Sequence, residues 1–69
     1  MEYVYMLVPN VSEWEDMVII LDKEEAIQAS IKFYKCRVEI FKKSSLGYIP
    51  TYNYYKNGKY YGAEQHNKN

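Results

Sequence analysis

Asp22-Lys23-Glu24-Glu25-Ala26-Ile27-Gln28-Ala29-Ser30-Ile31-Lys32-Phe33-Tyr34-Lys35 is the stretch that decides the fold. Asp22 is a good N-cap, and Glu25 follows three residues later, as in a capping box. Glu24 and Glu25 fall in the first turn, where the helix dipole favours negative charge. Lys32 and Lys35 fall at the other end, where it favours positive charge. Ile27, Ser30, Ile31 and Tyr34 recur at helical spacing, with Ala26 and Phe33 widening the stripe. The pattern predicts a helix over residues 23–34 that packs this stripe on a sheet.

Both flanks of this helix read as β-structure. Residues 2–8 hold Tyr3, Val4, Tyr5, Met6, Leu7 and Val8, which suit a pleated surface and leave no polar face. A strand apolar on both faces is covered on both. Pro9-Asn10 then ends it. Residues 14–21 read as a second strand through Met17, Val18, Ile19, Ile20 and Leu21. The short connection predicts an antiparallel hairpin between the two. After the helix, residues 36–42 alternate Cys36, Val38 and Ile40 with Arg37 and Glu39, giving one buried and one polar face that Phe41 interrupts. Lys42-Lys43-Ser44-Ser45 leads to a loop around Gly47.

Residues 50–56 and 59–62 read as a β-hairpin about Asn57-Gly58, a pair suited to the positive φ angles of a type I′ turn. Pro50 fits a strand start or an edge position. The expected architecture is α+β: a small antiparallel sheet with one packed helix, in the order β-β-α-β plus a C-terminal β-hairpin. Residues 1–63 form one domain, and residues 64–69 form a polar, frayed tail.

At 69 residues the chain buries only about 60% of its unfolded surface, so it needs a staple or a partner. The single cysteine, Cys36, cannot form an internal disulfide. With His66 as the only histidine, a closed zinc site lacks ligands. Self-association remains, and a homodimer is the expectation. The uncovered side of the first strand is to be closed by the tyrosine-rich hairpin folding back or by a second copy.

The lone thiol fits a reducing compartment, and neither a secretory signal nor a membrane span is expected. Net charge is zero but divided. Residues 1–31 carry seven acids against Lys23, a net of −6, and residues 32–69 carry eight basic residues against Glu39 and Glu64, a net of +6.

Catalytic patterns are thin. A Cys36–His66 dyad would need both groups held together, and His66 lies in the tail. Glu13, Glu15 and Asp16 offer carboxylates for a divalent cation, without further ligands to complete the site. Gly47, Gly58 and Gly62 are isolated and make no phosphate loop. The reading is therefore non-enzymatic, with no cofactor.

Tyrosine is the unusual component. Nine occur, six of them between residues 48 and 61. Tyrosine joins apolar area to a polar tip and favours interfaces. Tyr3, Tyr5, Tyr52, Tyr54, Tyr55 and Tyr60 are the candidate interface. In the alternative reading they stack on nucleic-acid bases while Lys42, Lys43, Lys56 and Lys59 meet phosphates. The neutral net charge weighs against this, and Asn57-Gly58-Lys59-Tyr60-Tyr61-Gly62 does not match an RNP1 pattern.

Several segments together carry a resemblance: Glu2-Tyr3-Val4-Tyr5, Ser12-Glu13-Trp14-Glu15-Asp16, the helical run from Lys23 to Ser30, Arg37-Val38-Glu39-Ile40-Phe41, and Gly47 to Tyr55. The chain resembles short uncharacterised proteins of large DNA viruses of amoebae, over most of residues 2–58. The resemblance implies a viral protein in the cytoplasm or nucleus of an infected host cell, and in the virion. It assigns no residue a role. The function expected is a structural or protein-interaction protein that associates with itself.

Overall fold

The computed structural model describes residues 2–9 and 16–62. Strands β1 (Tyr3–Pro9) and β2 (Val18–Ile20) precede helix α1 (Lys23–Lys32), and β3 (Cys36–Ser44), β4 (Gly47–Lys56) and β5 (Lys59–Tyr61) follow it. All five strands form one antiparallel sheet in the order β2-β1-β3-β4-β5. The α+β class expected from the sequence is the class observed.

The helix starts where its capping chemistry places it. Asp22 is extended, and its Oδ2 accepts the Glu25 N–H at 2.9 Å. This satisfies one of the orphan donors of the first turn. The helix ends at Lys32, two residues short of the expected limit. The Phe33 N–H closes the last turn on the Ala29 carbonyl, and the Cys36 N–H bonds the Phe33 carbonyl. The buried stripe differs accordingly. Ala26 and Ser30 are fully buried, Ile27 and Ala29 pack beside them, and Ile31 and Tyr34 stay exposed. Small side chains let the helix lie close to the sheet, and Tyr34 belongs to the turn after it.

The core lies between this stripe and one sheet face. It consists of Tyr5, Leu7, Ala26, Val38, Ile40 and Tyr55. Strand register brings these residues together, because Tyr5 faces Ile40, Leu7 faces Val38, and Val38 faces Tyr55 across the ladders.

Ser30 ties the helix to the far hairpin. Its hydroxyl donates to the Ile27 carbonyl at 2.6 Å and accepts the Gly58 N–H at 2.9 Å. The Asn57-Gly58 turn has positive φ at both residues, 52° and 82°, as a type I′ turn requires. A Cβ on Gly58 would meet Ile31 Cδ1 and Cγ1 at 3.0 Å.

Three expectations need correcting. The loop read around Gly47 is a tight hairpin turn at Ser45-Leu46; β3 runs two residues past the expected limit at Lys42, to Ser44, and β4 starts at Gly47. Gly47, at φ 127°, and the Leu46 N–H bonded to Ser44 Oγ at 3.2 Å make this turn. The tyrosine-rich hairpin does not fold back over the sheet; it extends the sheet as β4 and β5. The second strand is confined to Val18–Ile20, and the expected residues 14 and 15 of it lie outside the described residues.

Pro50 sits inside β4 opposite Phe41. The β4–β5 ladder begins at Tyr54, so no described strand flanks β4 at Pro50, a position that tolerates the missing N–H.

Candidate functional sites on the two sheet faces

The helix-free face is built by alternation. With Tyr5 and Leu7 turned to the helix, Val4, Met6 and Val8 take the opposite side. Their ladder partners share it: Ile19 beside Met6, Phe41 beside Val4, Glu39 beside Met6, and Tyr54 beside Glu39. Val4, Met6 and Phe41 are half-buried, Val8 is buried at 8% exposure, and Ile19 is exposed. Tyr54 stacks on Tyr61, with ring centroids 5.1 Å apart and planes 11° from parallel. Arg37 Nε bonds Glu39 Oε2 on this face, and Lys43 takes the same side beyond Phe41. No described element covers it.

The candidate interface tyrosines do not gather on one face. Tyr5 and Tyr55 are buried in the helix-side core, at 7% and 8% exposure. Tyr3 and Tyr60 are exposed at the rim of the same side. Tyr54 is on the helix-free face, and Tyr52 is 71% exposed at an irregularity in β4. Tyr61 was not singled out by sequence, though a signal existed. Counting outward from a two-residue Asn57-Gly58 turn pairs Tyr54 with Tyr61 and Tyr55 with Tyr60, as observed.

The helix side carries a groove. α1 begins only at Lys23, so the sheet ahead of it stays open. Ile40, Tyr5 and Tyr55 form the inner surface, and Tyr3, Tyr60, Lys23 and Asn53 complete the lining of a cavity of about 230 Å³. Tyr55 meets Tyr60 edge-on at 5.7 Å and Tyr5 at a tilt at 6.4 Å.

Asn53 lies there by alternation, two residues before Tyr55, and a bulge sits just ahead of it. Between the Glu39–Tyr54 and Phe41–Pro50 pairs, Ile40 faces three residues of β4 instead of one. Thr51 bridges the gap: its hydroxyl donates to the Ile40 carbonyl at 2.8 Å and accepts the Asn53 N–H at 3.1 Å. Tyr52 takes φ 69°, a left-handed conformation uncommon for an aromatic residue.

Burial pushes the Tyr5 phenol above its ordinary value of 10.0, and the neighbouring Tyr55 phenol adds to this. Burial likewise raises Tyr55, followed by Tyr60. Both groups stay protonated in the folded chain at a pH where the unfolded chain ionises. Their contribution to stability is complete below pH 10 and is lost as pH rises through the folded values. Melting temperature should fall above about pH 10, and the double replacement Tyr5→Phe with Tyr55→Phe should flatten that fall. An identical alkaline profile for the two proteins would assign the loss to other groups.

The four lysines of the nucleic-acid reading are not brought together. Lys42 and Lys43 lie at the β3–β4 turn end, and Lys56 and Lys59 face one another at the β4–β5 turn. Tyr48, opposite Lys43, is eight residues of strand from Lys56, roughly 25 Å. The Lys56 ammonium donates to the carbonyls of Tyr34 and Cys36 at 3.0 and 3.3 Å, which caps the turn after the helix.

Cys36 is a half-buried free thiol packed against the core. His66, Glu13 and Glu15 lie outside the described residues, while Asp16 is exposed. Among the described residues no group of three His, Cys, Asp or Glu is placed to hold a metal, and no helix is long and apolar enough to cross a membrane. No family model, curated protein or solved structure matches the chain.

Proposed function

We propose that this chain is a small non-enzymatic interaction protein that pairs with a second copy of itself through the helix-free sheet face. The observation that carries this reading is a half-buried apolar surface of Val4, Met6 and Phe41, with exposed Ile19, that no described element covers. The scaffold is the β-β-α-β order followed by the C-terminal hairpin.

Size and charge support the pairing. Five strands ~4.8 Å apart, the central three with seven to ten residues rising ~3.3 Å each, make a face of roughly 500–700 Å². A standard interface takes roughly 800 Å² from each partner. The Arg37–Glu39 pair compensates its own charges on the face, so a second copy meets no unpaired charge at that point. Edge pairing has less support, because β2 and β5 have three residues each. The resemblance to amoebal-virus proteins adds a host-cell setting, in cytoplasm or nucleus, and the virion as a further location.

Light scattering at micromolar concentration tests the pairing. The expected mass is twice 8.3 kDa. Phe41→Glu should return it to 8.3 kDa with the circular dichroism spectrum retained. An 8.3 kDa wild-type protein would remove the proposal.

A further inference from the structure

We propose that the groove ahead of α1 binds a small aromatic monocarboxylate, its ring among the tyrosines and its carboxylate on Lys23. The groove lies on the opposite side of the sheet from the pairing face, so this inference is independent of self-association.

Size selects the ligand class first. Pockets for drug-sized molecules run from about 300 Å³ upward. A cavity of about 230 Å³ suits a single ring. The lining selects an aromatic one. Ile40 and the Tyr5 and Tyr55 rings give an apolar bed, and the half-exposed Tyr3 and Tyr60 flank it. Aromatic rings prefer offset or edge-on neighbours, the arrangement Tyr55 and Tyr60 already adopt.

Charge selects the acid group. Lys23 lines the groove and supplies a charge-assisted donor. Lys42 lies opposite Tyr3 at the rim. Asp22 and Glu24 lie close enough to act on the Tyr5 and Tyr55 phenols. Two cations and two carboxylates leave the surroundings near neutral, so the attraction for an anion comes from Lys23 at short range and is matched by a single carboxylate.

A bulge borders the groove. Tyr52 holds a left-handed backbone while its own side chain is 71% exposed, so packing of that ring does not account for the conformation. Such outliers concentrate at functional sites. The Thr51 hydroxyl holds the bulge between the Ile40 carbonyl and the Asn53 N–H. Asn53 itself lines the groove because it lies two residues before Tyr55 on the same strand face.

Titration of the isotope-labelled full chain with 4-hydroxybenzoate, followed by NMR, tests this. Saturable shifts are expected at Lys23, Tyr5, Ile40, Asn53 and Tyr55. The neutral analogue 4-methylphenol should bind at least about tenfold more weakly. Lys23→Gln should bring 4-hydroxybenzoate down to the level of the neutral analogue, and Phe41→Glu should leave binding unchanged. The absence of saturable shifts up to about 10 mM would overturn the proposal. So would shifts centred away from the groove, or unchanged affinity in Lys23→Gln.

Discussion

Tyr55→Ala is expected to abolish cooperative folding at 37 °C. Tyr55 is 8% exposed, faces the fully buried Val38, and is the ring that joins Tyr5 to Tyr60. Truncating a large buried aromatic residue costs about 3–5 kcal/mol through lost burial and the cavity left behind. A 69-residue domain holds about 3–10 kcal/mol in total. The expected loss thus equals a large part of the whole. Tyr55→Phe keeps the ring and should melt within about 5 °C of wild type, since one kcal/mol shifts a domain of this size by about 4–8 °C. Thermal melts followed by circular dichroism read both. A Tyr55→Ala protein that melts cooperatively within about 5 °C of wild type would mean that the core does not depend on this ring.

The second large effect is expected at Gly58→Val, a loss of about 2–4 kcal/mol or about 10–20 °C. Two causes add. The backbone at φ 82° is strained for a β-branched residue, and a Cβ would meet Ile31 at 3.0 Å. The same residue donates its N–H to Ser30, so a shift that relieves the contact also disturbs the tie between helix and hairpin. The causes separate in a double-mutant cycle with Ile31→Ala. Relief of the contact should recover only part of the loss, because the backbone strain remains. Gly58→Asn should cost less than Gly58→Val, since Asn tolerates the left-handed region. Equal melting temperatures for Gly58→Val and wild type would show that the turn relaxes to a negative φ.

The amino-acid sequence reveals these features to different degrees. The Asn57-Gly58 turn and the Asp22 cap are local signals. Each acts through backbone groups two or three residues away, so each is readable from a short stretch. The turn also sets register: Tyr54 lies opposite Tyr61 and Tyr55 opposite Tyr60 by counting alone. The helix is legible as an element, but its buried stripe is not. Ile31 and Tyr34 have the right spacing and hydrophobicity. The close approach of Ala26 and Ser30 to the sheet puts them outside instead.

The α+β class, the helix start at Asp22, the tight turn at Asn57-Gly58 and the lack of any internal disulfide all follow from the order of residues alone. The remaining features depend on how the elements pack. Only strand order shows that the tyrosine hairpin widens the sheet rather than covering it. Only the ladder between β3 and β4 shows the bulge beside the groove, and only packing divides the tyrosines between core, groove and open face. The physical reason is range. Caps and turns are fixed by hydrogen bonds within a few residues, whereas faces and grooves are fixed by partners far away along the chain.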